Sequence, residues 1–251
     1  MTQRKLVAAL ACRNSGARLY GKPMQNLEPN CSIIDHILRC VAAAPQIDEI
    51  VLGISEGIDN QSFVEIAKKH DVGYIIGDEK DVLWRLIQCG RAGAATDVFR
   101  ITTECPFSAW EMLSEAWRRH VSNGNDITIA DYLPVGALFE LYTMESLERS
   151  HRDGADDDRS EYCSNYPRKH PELFQIEVLR AAPEYERTEL RITVDYPEDL
   201  VVCRRIYQAL KVEGPHIPMK SVVDFFDAHP ELMELLAEHE HTGPLWDLPA
   251  P

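Results

Sequence analysis

Short apolar runs alternate with amphipathic stretches along the first 131 residues of the chain. The runs predict buried strands at residues 6–12, 49–55, 73–76, 97–103 and 126–131. The stretches between them repeat apolar residues at helical spacing and predict helices at residues 32–41, 61–70, 81–92 and 110–121. Strands that alternate with helices in units of about 25 residues are typical of an α/β fold with a mostly parallel central sheet.

The regular alternation ends after Asp131. Residues 134–143 are expected to be extended, 144–152 helical, and 173–181 and 190–194 to form two more strands, before Pro197 opens a helix. Residues 132–185 are therefore predicted to form a small excursion over the ligand edge of the sheet. The chain divides into a main domain, 1–219, and a helical tail, 220–251, whose Pro-rich end is expected to be loosely held.

Charge is unevenly distributed along the chain. The whole sequence has a formal net charge of −15, yet its first 27 residues carry five basic side chains and no acidic one. Three of these, Arg13, Arg18 and Lys22, fall in the glycine-containing loop that follows the first strand. The overall charge argues against nucleic acid or an anionic membrane as the main partner. A basic loop at a strand end instead favours a polyanionic ligand such as a nucleoside triphosphate; the alternative is a basic surface loop that arose by chance.

This loop also matches the start of a phosphate-binding P-loop, G-x-x-x-x-G-K, at residues 16–22. The next residue is Pro23, so the hydroxyl that binds Mg²⁺ in a P-loop is missing. The segment that follows shows no helical period. A P-loop NTPase is therefore disfavoured.

The seven cysteines are scattered and odd in number, and no two of them form a C-x-x-C pair. A structural zinc site and a disulfide framework are both disfavoured. A reducing cytoplasm fits this pattern. The apolar run at residues 6–12 is too short for a membrane span, and no signal peptide is expected.

Two carboxylates follow predicted strands. Glu104 lies after the strand at 97–103, and Asp195 lies after the strand at 190–194. Because ligands of open α/β sheets sit at the carboxyl ends of strands, both should approach the basic loop. Cations with two carboxylates suit Mg²⁺-dependent phosphoryl or nucleotidyl transfer. Taken singly, each carboxylate could instead serve at a helix N-terminus, Glu104 before Trp110 and Asp195 before Pro197.

Four sequence motifs, which occur in the order and spacing of a known family, support this interpretation. They are RNSGARLYGKP (13–23), DVLWR (81–85), RITTECP (100–106) and RITVDYPEDL (191–200). Together they resemble the cytidylyltransferase family that includes the spore coat polysaccharide biosynthesis protein F group and the acylneuraminate and 3-deoxy-manno-octulosonate cytidylyltransferases. The resemblance spans residues 5 to about 210. It implies a single Rossmann-like GT-A nucleotidyltransferase domain, usually a homodimer through an excursion like 132–185.

Several positions depart from the family pattern. The usual A-R-x-G-S-T-R is C-R-N-S-G-A-R here, and the usual R-I-T-G-D-C-P has Thr103 and Glu104 in place of Gly and Asp. Tyr20 replaces a proline. The late R-E-H-V-T pattern, which faces the acceptor in relatives, has become residues 159–164, so an unusual acceptor is expected.

The resemblance implies a function and a set of roles. CTP would bind over loop 13–22 and transfer CMP to an anionic small-molecule acceptor, a sugar acid, phosphate or phosphonate, for a surface-polysaccharide precursor. The predicted roles are catalysis for Arg13, Arg18 and Lys22; nucleotide binding for these three with Ala11, Ser15, Gly16, Asp78 and Arg85; acceptor binding for Arg100 and Arg159; and Mg²⁺ ligation for Asp195 and Glu104.

Other functions remain open on the sequence alone. The chain could be a UTP- or GTP-dependent sugar-phosphate nucleotidyltransferase, or a non-catalytic nucleotide-binding homologue. A GT-A glycosyltransferase would need an Asp-x-Asp motif at a strand end. The one candidate, Asp156–Asp158, lies in a polar segment, which argues against that activity.

Overall fold

The computed structural model describes residues 4–16, 18–160, 163–237 and 244–246. The strands are β1 (Leu6–Cys12), β2 (Asn26–Glu28), β3 (Cys31–Ser32), β4 (Glu49–Ser55), β5 (Gly73–Gly77), β6 (Asp97–Arg100), β7 (Ile127–Asp131), β8 (Phe139–Thr143) and β9 (Ile176–Arg180). The α-helices are α1 (Ile33–Ala42), α2 (Gln61–Lys69), α3 (Val82–Ala92), α4 (Leu113–Asn123), α5 (Met144–Asp153), α6 (Asn165–Lys169), α7 (Pro197–Leu210), α8 (Met219–Ala228) and α9 (Glu231–Leu236).

Within these residues, the strands form a seven-stranded central sheet in the order β5-β4-β1-β6-β8-β7-β9, and β2 pairs with β3 beside it. Every neighbouring pair in the central sheet is parallel except the two that involve β8. The predicted α/β class with a mostly parallel sheet is confirmed. The carboxyl ends of β1, β4, β5 and β6 consequently lie along one edge.

The central strands are buried on both faces, as their continuous apolar runs predict. Successive residues of β1 point to opposite faces, and the two faces have separate apolar clusters. Leu6, Ala8 and Leu10 belong to the cluster that includes the apolar residues of α1. Val7 and Ala9 belong to the cluster that includes the apolar residues of α3. The sheet is therefore covered by helices on both sides.

Helix starts agree with the sequence signals. Ser32 caps α1 in a capping box with Asp35: the Ser32 Oγ accepts from the Asp35 N–H at 3.2 Å, and the Ser32 N–H donates to Asp35 Oδ2 at 3.1 Å. Asp81 caps α3 by accepting from the Trp84 N–H at 2.8 Å. The predicted boundaries of these helices were correct to within one residue.

Two predicted strands were wrong in extent or in kind. The strand at 97–103 ends at Arg100, because residues beyond it leave the sheet and turn, with the Cys105 N–H donating to the Thr102 carbonyl at 3.2 Å. Residues 190–194 form no ladder strand. They make one isolated bridge, between Val135 and Arg191. Their apolar side chains are buried all the same, which explains the strand-like pattern.

The segment 132–185 contributes two strands to the central sheet. β8 inserts between β6 and β7, and β9 pairs with the far side of β7. In the tail, α8 and α9 agree with the predicted helical character. In the Pro-rich end, Trp246 is only 1% exposed; residues 238–243 and 247–251, on which most of the predicted loose end falls, lie outside the described residues. No helix in the described ranges has the length and hydrophobicity needed to cross a membrane.

Candidate functional site

A cavity of about 260 Å³ opens at the carboxyl edge of the sheet, beside the ends of β1 and β6. Its lining includes nine of the predicted site residues: Ala11, Arg13, Ser15, Gly16, Arg18, Lys22, Arg85, Arg100 and Glu104. Five of these are cations. In a protein of net charge −15, such a concentration of positive charge favours an anionic ligand.

The basic loop, residues 13–22, holds its shape through its own backbone. Gly21 has a φ of +61°, a left-handed conformation that favours glycine, and its N–H donates to the Asn14 carbonyl at 2.8 Å. A Cβ on Gly16 would come within 2.6 Å of the Leu19 carbonyl oxygen. Lys22–Met24 then form a single 3-10 turn that leads into β2. The helix that a P-loop requires is absent at this position.

Asp195 joins the basic loop to the segment before α7. Its Oδ1 accepts from Lys22 Nζ at 2.6 Å and from Arg18 Nη2 at 3.4 Å, and its Oδ2 accepts from Arg191 Nη2 at 2.5 Å. Burial opposes ionisation of this carboxyl, but the Lys22 ammonium and the two guanidinium groups hold its pKa below the usual range. Asp195 is therefore charged and held at both oxygens by cations.

The helix-capping alternative for Asp195 was wrong. The N-cap of α7 is Tyr196, and Asp199 supplies the capping carboxylate: its Oδ2 accepts from the Asp195 N–H at 2.8 Å and the Tyr196 N–H at 2.9 Å. Asp199 also accepts from Arg191 Nε at 2.8 Å. Sequence reasoning missed Arg191 as the residue that links the two carboxylates. The four-residue spacing of Arg191, Asp195 and Asp199 was the available signal.

Glu104 lies on the cavity wall next to Asp195. The Glu104 carbonyl accepts from the Val194 N–H at 3.0 Å, which brings the two carboxylate-bearing segments together. Burial, with the charge of Asp195, raises the pKa of Glu104. The capping alternative fails here too, because the N-caps of the 3-10 turn at Trp110 and of α4 are Ala109 and Met112.

These two carboxylates are suited to a divalent cation that also binds a phosphate. The described residues contain no cluster of three or more His, Cys, Asp or Glu that could enclose a metal. Mg²⁺, however, is commonly bound by one or two carboxylates, with substrate phosphates and water as its other ligands. Burial, and to a lesser degree the charge of Asp195, disfavours the ionised form of Glu104, and a cation bound by both carboxylates would favour that form.

Threonines that the site prediction omitted also line the cavity. Thr103 Oγ1 donates to the Ala11 carbonyl at 3.0 Å, which ties the turn after β6 to the end of β1. Thr102 Oγ1 donates to the Cys105 sulfur at 2.8 Å, and that thiol donates to Thr193 Oγ1 at 3.3 Å. Thr103 stands where relatives have glycine, so this departure adds a structural tie to the cavity wall.

The two buried arginines of the cavity differ in their partners. Arg85 is 1% exposed, and its Nη1 donates to the Gly53 carbonyl at 2.8 Å and to the Cys12 carbonyl at 3.2 Å. Burial lowers its pKa. Arg100 pairs with the buried carboxylate of Glu140, its cross-strand neighbour on β8. Burial disfavours the charge of Arg100, but that carboxylate raises its pKa.

Three predicted site residues are not part of the cavity lining: Asp195, described above, Asp78 and Arg159. Asp78 is exposed and accepts from the N–H groups of Lys80 and Asp81, at 2.7 and 2.9 Å. Arg159 pairs with Asp156 at 3.4 Å and donates to the Gly154 carbonyl at 3.3 Å. Their predicted roles are untested by this geometry. Ala17, Glu161 and Tyr162, which belong to the compared motifs, lie outside the described residues.

Comparisons with known proteins agree with this geometry. No family model matches the chain. Spore coat polysaccharide biosynthesis protein SpsF of Bacillus subtilis is 24% identical over 226 residues, covering 88% of this chain and 94% of that protein. An uncharacterised protein of Methanocaldococcus jannaschii is 23% identical over 234 residues, covering 92% and 94%.

Solved structures show the same fold. A cytidylyltransferase from Leptospira borgpetersenii superimposes with a TM-score of 0.84 at 17% identity, over 92% of this chain and 97% of that one. A CMP:2-keto-3-deoxy-manno-octonic acid synthetase complexed with CTP gives 0.63 at 11%, over 82% and 99%. The predicted resemblance to cytidylyltransferases is confirmed, and the solved structures show that the chain has the same fold as these enzymes.

Proposed function

We propose that this protein is a CTP-dependent cytidylyltransferase that transfers CMP to an anionic acceptor and releases pyrophosphate. The observation that carries the proposal is the cavity itself, where five cations and the carboxylate of Glu104 converge beside Asp195 in a protein of net charge −15. Its similarity in sequence to SpsF and in fold to two cytidylyltransferases supports the choice of reaction.

The triphosphate would lie over the basic loop. Arg13, Arg18 and Lys22 line the cavity from this loop and would neutralise phosphate charge. An acceptor oxygen would attack the α-phosphorus, and pyrophosphate would leave in line. Such a reaction asks the protein mainly for positioning and for stabilisation of charge on the transferred group. Lys22 and Arg18 both pair with Asp195, so these two cations are held close together at the site.

Asp195 and Glu104 would hold Mg²⁺. When bound, the ion would screen the phosphate charge and polarise the bond to the leaving group. Lys22 Nζ lies 2.6 Å from Asp195 Oδ1, so a cation that binds Asp195 would share this carboxylate with Lys22.

The acceptor is proposed to be a sugar acid, a phosphate or a phosphonate. Arg100 supports this choice, because it adds a cation to the cavity lining from the end of β6, an element separate from the basic loop. A phosphate or phosphonate acceptor would attack through an oxygen that is already anionic and would need no general base. The hydroxyl of a sugar acid would have to lose its proton to solvent, which bound Mg²⁺ would favour by lowering the pKa of the hydroxyl. The name of SpsF, a spore coat polysaccharide biosynthesis protein, favours a product used for a surface glycan.

A reducing location is proposed from the thiols. All seven cysteines are free and buried, which fits a compartment where disulfides are not formed. The homodimer implied by the family resemblance is proposed as well, and sedimentation of the purified protein would measure it.

Pyrophosphate release measured with a coupled phosphate assay tests the function. CTP, UTP, GTP and ATP are each supplied with Mg²⁺ and a panel of acceptors that carry carboxylate, phosphate or phosphonate groups, beside their neutral analogues. We expect release with CTP and an anionic acceptor, and none with EDTA or with the Lys22→Ala variant. Release with UTP or GTP alone would favour the sugar-phosphate alternative. A thermal shift with CTP but no release with any acceptor would favour a non-catalytic binder.

A further inference from the structure

Trp246, the last of the described residues, is buried in the core. Trp246 is 1% exposed and belongs to the apolar cluster on the α3 side of the sheet. Its backbone N–H donates to Asp131 Oδ2 at 2.7 Å. Asp131 Oδ1 accepts from the Tyr132 N–H at 2.8 Å. The position of the indole is therefore fixed by both packing and hydrogen bonding.

The indole makes a hydrogen bond to a buried carboxylate. Trp246 Nε1 donates to Glu140 Oε1 at 3.1 Å, while Glu140 Oε2 accepts from Arg100 Nη1. Glu140 is fully buried, at 0% exposed. Each oxygen of one carboxylate thus has a different donor, and one of the two donors, Arg100, lines the cavity.

This arrangement affects how strongly Glu140 holds Arg100. A buried carboxylate interacts strongly with every donor that remains to it, because water cannot replace a lost hydrogen bond. If the indole N–H is removed, Glu140 has less compensation for its charge and draws the guanidinium of Arg100 more firmly. An anionic ligand in the cavity must then compete with a stronger internal partner.

We infer that Trp246 is a positioning residue for the acceptor: through Glu140, it sets where the Arg100 guanidinium lies and how available it is to an anion. The acceptor role of Arg100 rests on the proposed function, whereas the coupling of Trp246 to Arg100 rests on geometry alone. The two can therefore be tested separately.

The coupling is tested first without any ligand. The sequence has four tryptophans, so a ¹H–¹⁵N spectrum of the whole protein contains four indole cross-peaks at most, and Trp246→Phe identifies the one that is lost. In Arg100→Lys we expect the Trp246 indole peak to move more than the other three. Arg118→Lys, which alters an exposed pair with Glu115, is the matched control and should leave it in place. An unmoved peak in Arg100→Lys would overturn the coupling whatever the protein's reaction is.

The positioning role is tested by kinetics with whichever anionic acceptor the pyrophosphate assay identifies. For Trp246→Phe, which keeps an aromatic ring but removes the N–H donor, we expect the acceptor KM to rise about tenfold, the size of one weak hydrogen bond to a charged group. The KM for CTP and kcat should stay within about twofold, since the basic loop is untouched. Trp117→Phe is the matched control: Trp117 lies on α4 under the Arg4 guanidinium and should change none of these constants.

A double-mutant cycle separates positioning from general loosening of the core. Glu140→Gln should lower the acceptor KM on its own, because the carboxylate that competes for Arg100 has lost its charge, and adding Trp246→Phe to it should change the KM little further, because the carboxylate through which the indole acts is gone. Additive effects, an unchanged acceptor KM in Trp246→Phe, or an equal rise in the KM for CTP would each overturn the inference. If no acceptor is turned over by the wild type, the proposed function fails, and the spectroscopic test still decides the coupling.

Discussion

Replacing Asp195 with asparagine separates a ligand-binding role from a structural one. The variant keeps the shape of the side chain and removes its charge. Asp195 is not the cap of α7, since Asp199 makes the capping hydrogen bonds, so the helix should survive the change. What is lost is the anion that Lys22, Arg18 and Arg191 share.

The magnitudes follow from this environment. Asp195 is 18% exposed, so the loss of its charge should cost stability of about 1–2 kcal/mol, a fall in Tm of roughly 2–8 °C for a chain of this size. As a metal ligand it should matter more to turnover: a loss of about 100-fold or more in kcat, which corresponds to about 3 kcal/mol of transition-state stabilisation.

The assay pairs calorimetry with pyrophosphate release in a Mg²⁺ titration. Asp199→Asn is the contrasting variant, because Asp199 is 1% exposed and caps α7. It should lower Tm more than Asp195→Asn does and reduce kcat less. Full activity of Asp195→Asn with saturating Mg²⁺ would refute the metal-ligand role. A collapse of Tm with proportionate loss of active protein would show that Asp195 is structural.

Three further outcomes are expected. Lys22→Ala should lose about 100-fold or more in turnover, because a fixed charge on the transferred phosphates is removed, and near-normal pyrophosphate release would contradict the assignment of the basic loop. Arg100→Glu should raise the acceptor KM or abolish turnover while CTP still shifts Tm; unchanged acceptor kinetics, or efficient use of a neutral acceptor, would contradict an anion-binding role. Burial lowers the pKa of His36 to about 4, so its neutral form stabilises the fold above the unfolded pKa of about 6.5, and that stability is lost as pH falls from about 6.5 to about 4. The Tm of the wild type should fall relative to that of His36→Phe as the pH is lowered over this window, and a difference that is constant with pH would contradict the assignment.

The strands and helices that surround the basic loop could be predicted because local patterns determine them. The uninterrupted apolar run of β1 is dictated by burial on both faces, and Ser32 with Asp35 forms the capping box that begins α1. Residues 190–194 were misassigned for a physical reason: Leu190, Ile192 and Val194 are buried although their backbone makes only one bridge, and burial alone produces the same apolar pattern as a strand.

The part of the cavity around Arg100 could not be predicted in the same way, because its contacts depend on topology. Arg100 and Glu140 are 40 residues apart in sequence and meet only because β8 enters the sheet antiparallel between β6 and β7. Trp246 is a further 106 residues away from Glu140 and lies in a segment whose composition indicates a loose end. A buried carboxylate on a strand carries no local signal of its partners, since the donors come from whichever elements the fold brings to it. Three segments that are distant in sequence therefore set the charge that an acceptor would meet. The basic loop that would meet the triphosphate is one contiguous stretch, so its charge can be predicted directly from the sequence.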